Sequence, residues 1–284
     1  VTFNQETPRE NVDFSPSDFI STTMTRHATK LISHINDLRE IKSSESTHAC
    51  RVAIRTINAH LNTFAPFLRR KPTTALSQQL AWLNKKLGDI RGLDVMIALI
   101  TDIENEQVKQ GLITRLHSQR LSQELKLKKF FEVPELDLLL KDLANFALHP
   151  PLRRKFAKLN GKKSKAKVTA AISHTWVLLF DQLESLPKRP NAKQLHRLRI
   201  ATKECRYAYE AASETNLLQS PHIQAWTKQL QKQLGRVQDI KILRTWIKKQ
   251  TDLDPLVKTQ ALIYFAPNLP TKKQLLGGTV QIPK

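Results

Sequence analysis

From Ser15 to Phe265 apolar residues return every three or four positions, with polar residues between them. That period is the signature of amphipathic helix. It predicts a helix from a cap at Ser15 or Ser17 to about Ile41, with Asp18 at its positive end, and KSSES as its break. A second helix is expected over about Ser46–Leu68 and a third over about Thr74–Ile103. Between them RRKPTT reads as a turn, with Pro72 acceptable in a first helical turn. A fourth should cover about Glu104–Phe131, and Pro134 opens a short fifth, LDLLLKDLANFAL. HPPLRRKFAKLNGKKSKAK then reads as a connector. Beyond it the pattern returns over Val168–Leu186, Ala192–Ser213, Ser220–Gln250 and Leu253–Phe265. Alternating Val, Ile and Thr runs are almost absent, so the expected class is all-α. The expected organisation is a loose segment 1–14, a first helical half 15–148, a basic connector 149–166, a second half 167–265 and a poorly structured tail 266–284.

Two stretches of the pattern are copies of each other. HACRVAIRTINAHL begins at His48 and HRLRIATKECRYAY at His196, and both read His-x-x-Arg-x-x-x-basic. About forty residues further on, LNKKLGDIRGLDV from Leu83 matches LQKQLGRVQDIKI from Leu230. The histidines are 148 residues apart and the glycines Gly88 and Gly235 are 147 apart. A shared offset over two motifs indicates an internal duplication.

On helical wheels Cys50, Ile54, Ile57 and Leu61 form an inner stripe, and His48, Arg51 and Arg55 lie roughly 120° round the cylinder from it. In the second copy Leu198, Thr202, Cys205 and Tyr209 form the inner stripe, flanked on the same side by His196, Arg199, Lys203 and Arg206. Cations beside a core stripe can line a groove with a neighbouring helix, their stems covering apolar surface. Lys85 and Lys232 also match and add a cation from the third helix of each half. A mid-helix glycine costs about 1 kcal/mol relative to alanine. Close approach of another helix is the expected compensation at Gly88 and Gly235.

Composition sharpens this picture. Lys and Arg number 46 against 25 Asp and Glu, a formal net charge of +21. Such an excess points to a polyanionic partner: nucleic acid, an anionic membrane or polyphosphate. The two cysteines, Cys50 and Cys205, fall on apolar faces, as expected of a reduced cytoplasmic chain. No apolar run approaches a membrane span, and the polar, acidic beginning has no signal-peptide core. The chain begins without Met, which leaves room for an upstream domain.

The quoted motifs resemble the CHAD family, α-helical domains named for their histidines, over about Phe19–Phe265. The resemblance implies two four-helix bundles related by a pseudo-two-fold axis, and basic faces that bind inorganic polyphosphate. By position the implied binding residues are His48, Arg51, Arg55, Lys85, His196, Arg199, Lys203, Arg206 and Lys232. The first copy departs from the pattern: Asn58 stands opposite Arg206, and Gly92 follows Arg91 where aspartate is frequent. Weaker binding by the first half is therefore expected. Polyphosphate carries charge but no bases, so rows of Arg and Lys suit it better than stacking platforms. A histidine among these cations should be neutral when free and protonated beside bound phosphate.

Blander readings compete with this one. A basic helix face is usually solvated, and the histidines could pack helices through a carbonyl. Trp82, Trp176, Trp226 and Trp246 fit core positions better than base-stacking ones. The connector run is either a solvated linker or an extra polyanion contact. No metal or cofactor is expected, because no His/Cys cluster occurs and guanidinium groups repel a cation. Some family members carry a CYTH-type triphosphatase domain with an E-x-E-x-K strand, but ENEQV from Glu104 lacks the lysine and sits in a helical context. There is no P-loop or nucleophile elbow. Asp94 and Asp239 are expected to orient basic side chains rather than hold a metal. The expectation is a non-enzymatic, monomeric polyphosphate binder, associated with polyphosphate or storage granules. The alternatives are a nucleic-acid binder, nucleic acid being the weaker polyanion partner, and a phosphate-chain hydrolase.

Overall fold

The computed structural model describes residues 14–40 and 44–276. Among the described residues the chain is all-α, with eleven helices and no strand. They are α1 (Pro16–Glu40), α2 (Ser44–Thr63), α3 (Arg70–Thr101), α4 (Glu106–Phe130), α5 (Pro134–Leu148), α6 (Arg154–Ala157), α7 (Gly161–Glu184), α8 (Ala192–Glu214), α9 (Pro221–Lys249), α10 (Pro255–Tyr264) and α11 (Lys272–Leu276).

Local chemistry accounts for their ends. The Ser15 hydroxyl accepts from the Asp18 N–H at 3.3 Å. Asn191 closes a capping box with Gln194, and Asp254 caps α10 ahead of Pro255. α2 stops short of the expected Leu68 because Pro66 has no N–H to donate. α7 begins at Gly161, earlier than the expected Val168. KKSKAK therefore forms the first turns of a helix rather than the end of a connector. Lysine and alanine are good helix formers, and Ser164 continues the buried stripe of Val168, Ile172, Thr175 and Leu179. Gly161 itself has φ +68°, and its N–H donates to the Phe14 carbonyl at 2.9 Å. The tail also departs from expectation. Residues 272–276 form α11, because Leu275 finds a place in the main core. Most of segment 1–14, and residues 277–284 of the tail, lie outside the described residues.

The core divides across the long helices rather than at the connector. The main cluster takes Leu31 from α1, Ile54 and Leu61 from α2, Leu143 from α5, Leu179 from α7 and Leu198 from α8, with the first halves of α3 and α9. A smaller cluster joins the far ends of α3 and α9 to α4 and α10 through Ile100, Leu112, Leu243 and Ala261. α2 packs along α8, so the two sequence halves meet directly. At that seam the buried His60 donates through Nε2 to the Tyr207 carbonyl at 3.3 Å, and the Asn62 amide donates to Glu204 at 2.7 Å. Burial and then His27 hold the His60 imidazole down at about 3, although the bond to Tyr207 opposes the shift, so it stays neutral.

Candidate polyanion-binding site

Packing α2 on α8 sets their two cationic stripes against each other. Arg51 and Arg55 come from α2, and Arg199 and Lys203 from α8. These four and Arg91 of α3 act on one another electrostatically. All five are half-buried. Burial and then Arg199 and Arg55 push the Lys203 ammonium down to about 8. Burial and then Arg55 and Arg91 bring the Arg51 guanidinium to about 10. Arg199 is lowered by burial and then by Arg55. The carboxylates acting on the cluster are Asp89, Asp239 and Glu204. Burial raises Asp239 even though Arg199, Arg91 and Arg55 oppose the shift. Among the described residues none of the five cations closes an ion pair. Half-buried, mutually repelling cations without paired anions are an arrangement that an incoming anion relieves.

Gly88 has a different role from the one expected. Arg51 Nη1 donates to the Asn84 carbonyl at 2.6 Å, and a Cβ at Gly88 would lie 2.8 Å from that nitrogen. The glycine makes room for a guanidinium, not for another helix. A Cβ at Gly235 would meet nothing within 4 Å, so helix packing is not its compensation either. Gly235 lines a groove of about 1030 Å³ along α9, with Arg199, Lys232, Arg236 and Asp239.

Of the remaining sequence-predicted residues, His48 feels the cations of the cluster and Lys232 lines the α9 groove. His48 is half-buried one turn before Arg51, and burial followed by Arg91 and Arg55 lowers its pKa, so it is neutral when free. His196 is exposed one turn before Arg199. Lys85 is exposed on α3 and Lys232 on α9. Arg206 is already engaged: it donates to Glu210 at 2.7 Å and to the groove-lining Gln231 at 3.2 Å, and lies over the Tyr207 ring. Asn58, its counterpart, accepts from the Ser77 hydroxyl at 3.1 Å.

A family model described as CHAD domain matches residues 22–248. The chain belongs to the CHAD domain family. No curated protein matches it. Among solved structures it is similar to the CHAD domain from the plant Ricinus communis, with 19% identity, TM-score 0.74, and 93% of this chain and 90% of that one covered. It is also similar to PptA from Streptomyces chartreusis, with 17% identity, TM-score 0.70, and 89% and 93% covered.

In this CHAD chain sequence reasoning did not name Arg91 as a site residue. It lies three positions after Gly88, on the same face of α3, and that spacing was the available signal. Asp94 does orient a basic side chain, accepting from Arg120 Nε at 2.7 Å. No His, Cys, Asp and Glu group suited to a metal occurs among the described residues. ENEQV is a helix start: Asn105 caps α4 and Glu106 holds Lys109 and Gln110. Trp82 packs on Phe130 at 4.8 Å, Trp176 on Trp226 at 5.5 Å, and Trp246 donates to Gln119, so none forms a stacking platform. Both cysteines are free and buried, their thiols pushed up to about 12. Among the described residues no helix is long and apolar enough to cross a membrane.

Proposed function

We propose that the α2–α8 seam binds inorganic polyphosphate and does not turn it over. The observation that carries this reading is the meeting of Arg51 and Arg55 with Arg199 and Lys203, cations from the two matching motifs, in one partly desolvated cluster. A phosphate chain supplies one negative charge per link and no base. Guanidinium forks can grip its oxygens in pairs while Lys203 follows as a point charge. Each phosphate that enters restores the protonated form of Lys203 and His48, so binding and proton uptake are coupled. The matching motifs support reading the two halves as copies of one unit that now share a ligand. Among the described residues neither a metal-ligand group nor an activated nucleophile accompanies the cations, which favours binding over catalysis. A protein carrying this domain would be held where polyphosphate accumulates, as in storage granules.

Competition at fixed salt tests the proposal. Long-chain polyphosphate should displace labelled polyphosphate well below the concentration at which duplex DNA or RNA does, and no orthophosphate should appear with Mg²⁺ or Mn²⁺ present. Equal competition by nucleic acid would favour a general polyanion binder, and steady phosphate release by the pure protein would make it a hydrolase.

A further inference from the structure

The chain beyond α10 reaches the groove along α9 and is fastened at the turn between α7 and α8. Leu275 of α11 is buried in the main core. The Lys272 backbone N–H donates to the Lys188 carbonyl at 3.0 Å, and its ammonium donates to the Glu184 carbonyl at 2.6 Å. Gln274 Oε1 accepts from both the N–H and the hydroxyl of Thr271, at 2.8 and 2.9 Å. So held, Asn268, Pro270 and Gln274 wall one side of the groove of about 1030 Å³. The same groove is lined by Lys232, Arg236 and Asp239 of α9 and by Arg199 of the central cluster. Inside the cluster Arg199 Nε is buried without a hydrogen-bond partner. This strap, residues 266–276, lies beyond the 22–248 span of the family match.

We infer that the strap makes the α9 groove a specificity-determining channel that takes a single phosphate chain and keeps duplex nucleic acid out. The inference rests on the polyphosphate reading above. A phosphate chain is thin and flexible. It can lie with its oxygens toward Arg199, Lys232 and Arg236 on one side and toward the strap amides on the other. Gln274 suits that position, since its carbonyl oxygen is already engaged and its NH₂ remains a donor. A duplex is wide and stiff and carries its phosphates on the outside. Between two walls it cannot present them to Arg199, and it meets only the exposed cations.

Two variants of the full chain test this with labelled long-chain polyphosphate and with duplex DNA. Asn268 is exposed, so Asn268→Trp should fold normally while narrowing the channel. It should weaken polyphosphate binding about tenfold, the loss of one charge-assisted hydrogen bond, and leave duplex binding within about twofold, as expected for screened exposed charges. Lys272→Ala removes one anchor of the strap and should narrow the preference for polyphosphate over duplex. In the unaltered chain, bound polyphosphate should slow amide hydrogen exchange over residues 266–276. If both variants keep the original preference and the strap amides exchange unchanged, the strap is not a wall of the site, although polyphosphate binding stands. If the unaltered chain binds polyphosphate no better than duplex, the underlying reading fails and the strap's role fails with it.

Discussion

Two regions of this molecule are densely basic, and their surroundings are opposite. From Arg153 to Lys167 the chain carries eight cations and no carboxylate, and every one of those cations is exposed. The α2–α8 seam has fewer, but burial and mutual repulsion bear on them strongly enough to displace Lys203 to about 8. Water and salt screen the ridge, so its charge costs the fold little. Arg153 even serves the structure, donating to the Leu68 and Ala65 carbonyls where the connector meets the α2–α3 turn. At the seam the same residue types are half desolvated and unpaired, which opposes folding until an anion arrives. On the function proposed above, density of charge along a sequence is a poorer marker of a site than charge withdrawn from water without a partner.

The strongest way to break the comparison is to remove cations from each region. Arg55→Ala with Arg199→Ala should lower polyphosphate affinity about a hundredfold or more, since each loses a charge-assisted contact. Lys162→Ala with Lys163→Ala should lower it only about twofold, as exposed and screened charges do. Isothermal titration of both double variants decides between the regions, and the reverse order would move the site to the ridge.

Salt sharpens the same contrast. Each phosphate neutralised on a single-stranded polyanion contributes a log–log slope of about −0.7, so the five seam cations predict a slope near −3.5. The double seam variant should flatten that slope by about two contacts' worth, and the ridge variant should leave it unchanged.

pH addresses Lys203 first and His48 beside it. The folded Lys203 pKa of about 8 lies below the ordinary 10.5, so the folded state releases its proton first as pH rises. Below pH 8 both states are protonated and the full penalty on folding is present. Between 8 and 10.5 the unfolded chain binds more protons, and stability rises with pH. Lys203→Met should remove that rise and stabilise the free protein at neutral pH by about 1 kcal/mol, measured by denaturant unfolding. Bound phosphate restores the ammonium. Affinity should accordingly fall about tenfold or more from pH 7 to 9 in the unaltered chain, and fall less in Lys203→Met, where only His48 still takes up a proton.

The smallest effect is expected at Arg206. Glu210 and Gln231 already engage it, so Arg206→Ala should change affinity by less than about twofold, as for a cation whose donors are already satisfied. A large loss would show that it leaves those partners to reach the ligand, and that the second motif contributes a longer row than the seam.

Helices and motifs were legible because they are local. The inner stripes of Cys50, Ile54 and Ile57 and of Leu198, Thr202 and Cys205 are buried as their spacing required. What spacing could not supply was the partner. Arg55 and Lys203 stand 148 residues apart in sequence, and only the packing of α2 on α8 brings their charges together. Gly88 looked like a helix-contact glycine because the guanidinium that needs its missing side chain comes from another helix. Gly161 and the lysines after it looked like a linker because composition does not reveal that Phe14 anchors the turn or that Ser164 faces inward. Leu275 was too short an apolar signal to announce α11.

The common core of α1, α2, α7 and α8 bears on covalent continuity. The turn at Lys158 and Asn160, just ahead of α7, is exposed and rich in basic residues. A protease that cut there would leave two fragments, each with half of a buried surface. Leu61 would keep its place in the same cluster as Leu198, and His60 its bond to the Tyr207 carbonyl. The nicked molecule should therefore migrate as one particle under native conditions and as two bands in denaturant, because side-chain burial holds the pieces together where the peptide bond no longer does.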